Sequence, residues 1–237
     1  MIVGVVVPAA GSGTRLGPGT AKALRPVAGE ALLLHAVRRL RSCPSLGPVV
    51  VAAPPGAVAE VQALLRDYDV VVVAGGAQRQ DSVAAALSAL PPEVELVLIH
   101  DAARALVPVD VVEAVVHVLR AGADAVVPVL AVSDTVKRVG PDGTVQATVS
   151  RADLRGAQTP QGFRREVLVA AHRSARGSLT DDAGLVEAAG VVVQTVPGSP
   201  EAFKVTTAFD LLVAEAVIRR DLRATGGSSV DGESLGA

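Results

Sequence analysis

The feature that most constrains this chain is its alternation of two kinds of apolar segment. Short, nearly continuous β-branched runs occupy Ile2–Val7, Val49–Ala53, Val70–Val73, Leu96–His100, Ala125–Val129 and Val191–Val196. Strands read this way when both of their faces are buried, as in the sheets of α/β proteins. Between them lie Ala/Leu/Arg segments with helical spacing, at Ala31–Arg41, Ala57–Asp67, Ser82–Leu90, Asp110–Ala121, Arg164–Ser174, Thr180–Ala189 and Phe209–Arg223. Asp110 and Thr180 stand where N-caps belong, and Gly122 and Gly190 follow helix ends as C′ residues do. The alternation predicts an α/β fold with a mostly parallel central sheet and helices on both faces.

Two segments leave this rhythm. Residues 133–150 contain Thr135–Val139, then Pro141-Asp142-Gly143, then Val145–Val149. An Asp-Gly pair between alternating stretches is a hairpin signal, so a β-hairpin arm should project from the sheet. Residues 224–237 are rich in Gly and Ser and are expected to form a disordered tail behind a single domain spanning 1–223. No internal repeat and no interdomain linker is visible.

Composition excludes several functions. The mean hydropathy of +0.44 invites a membrane reading. Yet the longest uncharged run, Ser42–Ala59, carries Pro44, Pro48, Pro54 and Pro55, and a spanning helix tolerates no such series. The apolar start stops at Pro8 and lacks a basic leader, so no secretion signal is expected. The lone Cys43 fits a reducing, cytoplasmic setting. His35, His100, His117 and His172 are scattered, which disfavours a zinc site. A net charge of −2, with Tyr68, Phe163, Phe203 and Phe209 as the only aromatics, argues against nucleic acid as a partner.

The chemistry gathers at strand ends. The first strand runs into Pro8-Ala9-Ala10-Gly11-Ser12-Gly13-Thr14-Arg15-Leu16-Gly17. Small residues there let backbone N–H groups approach an anion. No Gly-Lys-Ser/Thr follows, and Leu16 stands where a dinucleotide fingerprint needs glycine, so neither common phosphate motif applies. Arg15 and Lys22 on a Gly-rich loop suit a triphosphate, whose charge must be neutralised before a nucleophile reaches phosphorus. The alternative is an ordinary connection with solvated cations. Asp101 directly follows a buried strand, either at a ligand edge or as a loop cap. Gly75-Gly76 allows close backbone approach before Asp81 and Ser82, which could simply cap a helix. Thr180-Asp181-Asp182 reads as a helix cap rather than a metal site. Among 22 basic residues only Lys22, Lys137 and Lys204 are lysines, so Lys204 in Lys204-Val205-Thr206 stands out against a background of arginine.

In combination these residues resemble the 2-C-methyl-D-erythritol 4-phosphate cytidylyltransferase family, in its actinobacterial branch. The series is Pro8–Arg15, Lys22, Gly75-Gly76 with Arg79 and Asp81-Ser82, and His100–Arg104. It continues through Ser133–Lys137, Arg151, Gln158–Gly162, Thr180–Asp182 and Phe203–Thr206, in order over about residues 2–222. The resemblance implies a Rossmann-like nucleotidyltransferase fold and CMP transfer from CTP to the 4-phosphate of methylerythritol, with release of pyrophosphate. It implies that Arg15 and Lys22 bind the triphosphate and that Ala9, Ala10, Gly11 and Gly13 offer backbone contacts. Gly76 and Ser82 would hold the cytidine, and Asp101 and Arg104 would face polyol hydroxyls and phosphates. Thr159 and Lys204 would hold the sugar phosphate. Thr135 and Arg151 would act across a homodimer joined by the 133–150 arm. Mg²⁺ would be held chiefly by triphosphate oxygens. A phosphate monoester is already nucleophilic, so no Ser/His or Cys/His pair is required; positioning and cationic stabilisation suffice.

The chain departs from the family pattern at Ala21 and Ala23 beside Lys22, at Ala77 near the base, and at Ala105. Two other functions remain compatible with the motifs: cytidylyl transfer to another polyol phosphate such as ribitol 5-phosphate, and nucleotide binding without catalysis.

Overall fold

The computed structural model describes residues 1–11, 21–175 and 180–226. In chain order, β1 (Ile2–Pro8) leads to a small hairpin of β2 (Pro26–Val27) and β3 (Glu30–Ala31). There follow α1 (Leu32–Arg41), β4 (Val49–Ala53), α2 (Val58–Leu64), β5 (Val70–Ala74), α3 (Arg79–Ala89), β6 (Val94–Ile99), α4 (Val109–Arg120) and β7 (Ala125–Ala131). The remainder comprises β8 (Val136–Val139), β9 (Val145–Val149), β10 (Arg155–Ala157), β11 (Gln161–Arg164), α5 (Arg165–Ser174), α6 (Asp182–Ala188), β12 (Val193–Pro197) and α7 (Ala208–Gly226).

Eight strands form one sheet in the order β10-β7-β11-β6-β1-β4-β5, with β12 paired to β7. The β6-β1-β4-β5 portion is parallel, as is β7 with β12; only β10 and β11 run against their neighbours. The expected mostly parallel α/β sheet is therefore the observed one.

Strand pleat divides the core. Val3, Val5, Val7, Val49, Val51, Leu96 and Leu98 point to the layer of α1 and α4, while Val6, Val50, Ala52, Val97 and Ile99 point to that of α3, α5 and α6. Successive side chains of a strand face opposite ways, so an unbroken apolar run fills both layers at once. A third cluster, including Leu32, Leu106, Val205, Ala214 and Ile218, seats α7.

Some boundaries move from their expected places. The N-cap of α4 is Pro108, and Asp110 instead accepts from Val111 N–H inside the first turn. The N-cap of α6 is Asp181, whose carboxylate accepts from Gly184 N–H; Thr180 precedes it. Helix α3 begins at Arg79 rather than Ser82, with Gln78 and Asp81 forming a reciprocal capping box. Gly122 and Gly190 do occupy C′ positions, with positive φ of 111° and 82°. Strand β11 has no counterpart among the apolar runs of the sequence. Its Gly162 lies where a Cβ would come within 2.6 Å of Leu119 and Val115, so glycine there lets α4 close on the sheet.

The expected arm is present as a separate two-stranded sheet of β8 and β9, turned at Gly143 with φ of 80°. Among the described residues no helix is long and apolar enough to cross a membrane. Gly13, Arg15 and residues 227–237 lie outside the described residues, while residues 224–226 of the expected tail continue α7 instead.

Candidate active site

A cavity of about 350 Å³ opens at the carboxyl edge of the parallel strands. Open α/β sheets bind ligands at this edge because loops diverge there and backbone N–H groups face outward. Ala9, Ala10 and Gly11 reach it from the end of β1, Gly76 from the β5–α3 loop, Ser82 from the first turn of α3, and Asp101 from just beyond β6. Lys22 opens a short 3-10 turn, and Lys204 comes from the segment preceding α7. Residues near the two ends of the chain thus meet at one opening.

The wall beside the base of α3 depends on its glycines. A Cβ on Gly75 would stand 2.7 Å from the Ala10 Cβ, and one on Gly76 would stand 2.2 Å from the Asp81 Cβ. Ser82 Oγ accepts from Gly76 N–H at 3.1 Å and donates to Gln78 O at 3.2 Å, closing the turn on itself.

Asp101 is the electrostatic centre. Its Oδ1 accepts from Arg79 Nε at 3.2 Å and its Oδ2 from Lys204 Nζ at 2.7 Å. Burial alone would push this carboxyl up; the Arg79 and Lys204 charges outweigh it and hold Asp101 well below the usual carboxylate range. The same burial opposes the Arg79 charge, and the Asp182 and Asp101 carboxylates more than offset it, so Arg79 binds its proton more tightly than usual.

Backbone placement of Asp101 is fixed from behind. Asp101 N–H donates to Thr159 Oγ1 at 3.1 Å, and Thr159 Oγ1 lies 3.1 Å from His100 Nδ1. His100 Nε2 lies 3.2 Å from Arg104 O, a group that can only accept, so Nε2 carries the ring proton and Nδ1 accepts from the threonine. Burial pushes the His100 imidazole down to about 4, against the pull of the Asp101 charge, which keeps it neutral and this tautomer in place.

The residues singled out in the sequence therefore fall into three groups. Ala9, Ala10, Gly11, Lys22, Gly76, Ser82, Asp101 and Lys204 line the cavity together. Thr159 and Arg104 stand behind its wall. Thr159 is 4% exposed, and the Arg104 guanidinium donates to Ala157 O and Ala202 O, tying β10 to the segment that carries Lys204. Thr135 and Arg151 are not among the cavity residues; Arg151, at the base of the arm, donates to Ser133 O. Two contributors receive no role from sequence reasoning. Arg79 lies in the cavity wall, and Asp182, read as part of a cap, is wholly buried against it at 2.6 Å. The pair is 103 residues apart, and no local pattern announces it.

Fold and site together define an α/β nucleotidyltransferase: a parallel sheet with lysines and a small-residue loop at its carboxyl edge. The sequence profile described as 2-C-methyl-D-erythritol 4-phosphate cytidylyltransferase matches residues 3–220. The chain belongs to that family. A relative of this name from Streptomyces avermitilis is 52% identical over 227 residues, covering 91% of each chain. Another from Saccharopolyspora erythraea is 54% identical over 224 residues, covering 92% of this chain and 100% of that one. The crystal structure of the Thermus thermophilus protein of the same name superposes with a TM-score of 0.79 at 38% identity, covering 92% of this chain and 100% of that chain.

Proposed function

We propose that this protein transfers CMP from CTP to 2-C-methyl-D-erythritol 4-phosphate, forming 4-diphosphocytidyl-2-C-methyl-D-erythritol and pyrophosphate. The observation that carries the reading, beside family membership, is the convergence of Lys22, Lys204 and Asp101 on one cavity beside the Ala9–Gly11 loop. An oxygen of the 4-phosphate attacks the α-phosphorus of CTP in line. The bond from that phosphorus to the bridging oxygen breaks, and the electron pair leaves with pyrophosphate.

The chain's work in this scheme is positional and electrostatic. Lys22, with Arg15, draws charge from the triphosphate and from the five-coordinate phosphorus. Ala9, Ala10, Gly11 and Gly13 present backbone to the nucleotide, and Gly76 and Ser82 shape the base subsite. Lys204, steadied by Asp101, holds the attacking phosphate, and Asp101 faces hydroxyl groups. Arg104 and Thr159 set the wall against which the polyol phosphate lies.

Mg²⁺ belongs on the triphosphate oxygens in this reading. Among the described residues no cluster of three or more His, Cys, Asp or Glu could hold a metal, and both Asp101 oxygens already accept from cations. Thr135 and Arg151 complete the site from a second copy. Support comes from the arm itself: an isolated two-stranded hairpin is marginal in water, and Val139 and Val145 are 53% and 61% exposed on it. A homodimer through residues 133–150 would cover them.

Pyrophosphate release with CTP and Mg²⁺ tests the proposal. Turnover should be faster with methylerythritol 4-phosphate than with ribitol 5-phosphate. Equal or faster turnover on ribitol phosphate overturns the substrate assignment, and no release with either leaves a non-catalytic nucleotide binder.

A further inference from the structure

Behind the cavity, charges alternate in a line. Lys204 bonds Asp101 Oδ2 at 2.7 Å, Arg79 Nε bonds Asp101 Oδ1 at 3.2 Å, and Arg79 Nη1 bonds Asp182 Oδ2 at 2.6 Å. His172 Nε2 closes the line at Asp182 Oδ1, 3.1 Å away. Each of the two carboxylates has its two oxygens assigned to two different partners. The line crosses from the segment before α7, through β6 and α3, to α6 and α5.

The two cations are partly exposed, at 40% for the Lys204 side chain and 29% for Arg79, whereas Asp101 is 12% and Asp182 0% exposed. Asp182 is not a cavity residue and cannot touch a ligand there. Burying a carboxylate is costly, and an apolar residue of similar volume would commonly serve the core as well or better. Its placement makes sense through what it does to Arg79.

We propose that Asp182 is a positioning residue for the reaction, acting through Arg79 on Asp101 and so on Lys204. A guanidinium on a flexible stem that met only Asp101 could swing to engage both of its oxygens, the fork geometry arginine favours with a carboxylate. That would displace Lys204 from Oδ2. Anchored at Nη1 by the buried Asp182, Arg79 reaches Asp101 through Nε alone and leaves the second oxygen to the lysine. His172 occupies the other Asp182 oxygen, which keeps Oδ2 turned to Arg79.

The inference rests on cytidylyl transfer and on Lys204 as phosphate holder. The test is a double-mutant cycle on turnover, with Asp182→Asn and Lys204→Ala made singly and together. Asp182→Asn keeps the volume and removes the charge; kcat should fall about tenfold, while KM for CTP stays within about twofold. On the Lys204→Ala background the same change should cost less than about twofold, because the residue it acts through is gone. Wild-type kcat for Asp182→Asn overturns the inference, and so do effects that multiply in the double variant, the signature of a role in folding alone. Should Asp182→Asn fail to fold, Arg79→Lys, at the partly exposed link, carries the same cycle with the same two overturning outcomes. Failure of the wild-type protein to release pyrophosphate would instead sink the reaction assignment. An additive cycle with an active wild type sinks only the positioning role.

Discussion

The cavity floor and the arm use similar residues in opposite ways. Asp101 and Asp142 both titrate below the ordinary carboxylate range, for different reasons. Asp101 is buried, which works against its charge, and it stays ionised because two cations touch it. Asp142 is fully exposed, and the Thr144 hydroxyl and backbone N–H do the lowering. Lysines divide the same way. Lys204 meets a buried carboxylate, whereas Lys137 on the arm donates to Thr148 Oγ1 across the hairpin and faces solvent. Both lysines are exposed, and what separates them is the partner: a buried carboxylate for Lys204, a hydroxyl across the hairpin for Lys137.

That contrast can be broken most directly at its strongest point. Lys22→Ala and Lys204→Ala should each lower kcat by on the order of 10²–10³. Lys22→Ala should leave thermal stability nearly unchanged, whereas Lys204→Ala, which leaves the buried Asp101 with one cation fewer, should lower it measurably. Normal turnover in steady-state assays of either variant would remove its lysine from the mechanism. On the arm, Arg151→Ala should also inactivate, yet mixing it with Lys22→Ala subunits should recover part of the activity. If mass spectrometry shows heterodimers and activity stays absent, Arg151 works in its own subunit's site.

A third prediction concerns pH and lies on the cavity side alone. His100, pushed down to about 4 from an ordinary value of 6.5, binds fewer protons folded than unfolded between those limits. Its contribution to stability is therefore complete above about pH 6.5 and is lost as pH falls toward 4, on the order of 3 kcal/mol in total. Thermal unfolding across that window should show a slope that His100→Asn flattens; a flat wild-type curve would refute the buried neutral imidazole. The smallest effect belongs to Lys137→Ala, which should change stability by less than about 0.5 kcal/mol and leave kcat alone. A tenfold loss of turnover there would move Lys137 into the site and dissolve the contrast.

Legibility in the sequence followed the same division between local and distant information. Strands β1, β4, β6 and β7 announced themselves because each carries apolar side chains to both layers. Strands β5 and β12 were read from the same apolar pattern, yet they lie at sheet edges with part of their length exposed, and all six positions agree within a residue or two. Strand β11 did not announce itself, since it is short and holds Gly162 rather than an apolar run, while the need for glycine comes from Leu119 and Val115 on another element. Asp110 and Thr180 show the limit of capping signals: the residue types mark a helix start but not which position fills it. At the site, Lys22, Lys204 and Asp101 were legible from local wording. The inward bonds of Arg104 and Thr159, and the pairing of Arg79 with Asp182, depend on contacts between distant segments.

The pleated division of the core has a consequence for how such a protein can drift. Val97 and Leu98 are chain neighbours, yet the sheet stands between their side chains. A vacancy left by Leu98 can be refilled only from α4 or its neighbours on that side, and one left by Val97 only from the α3 and α5 side. The two halves of the interior are thus free to exchange residues on separate schedules, while the polar edge they jointly support remains as it was.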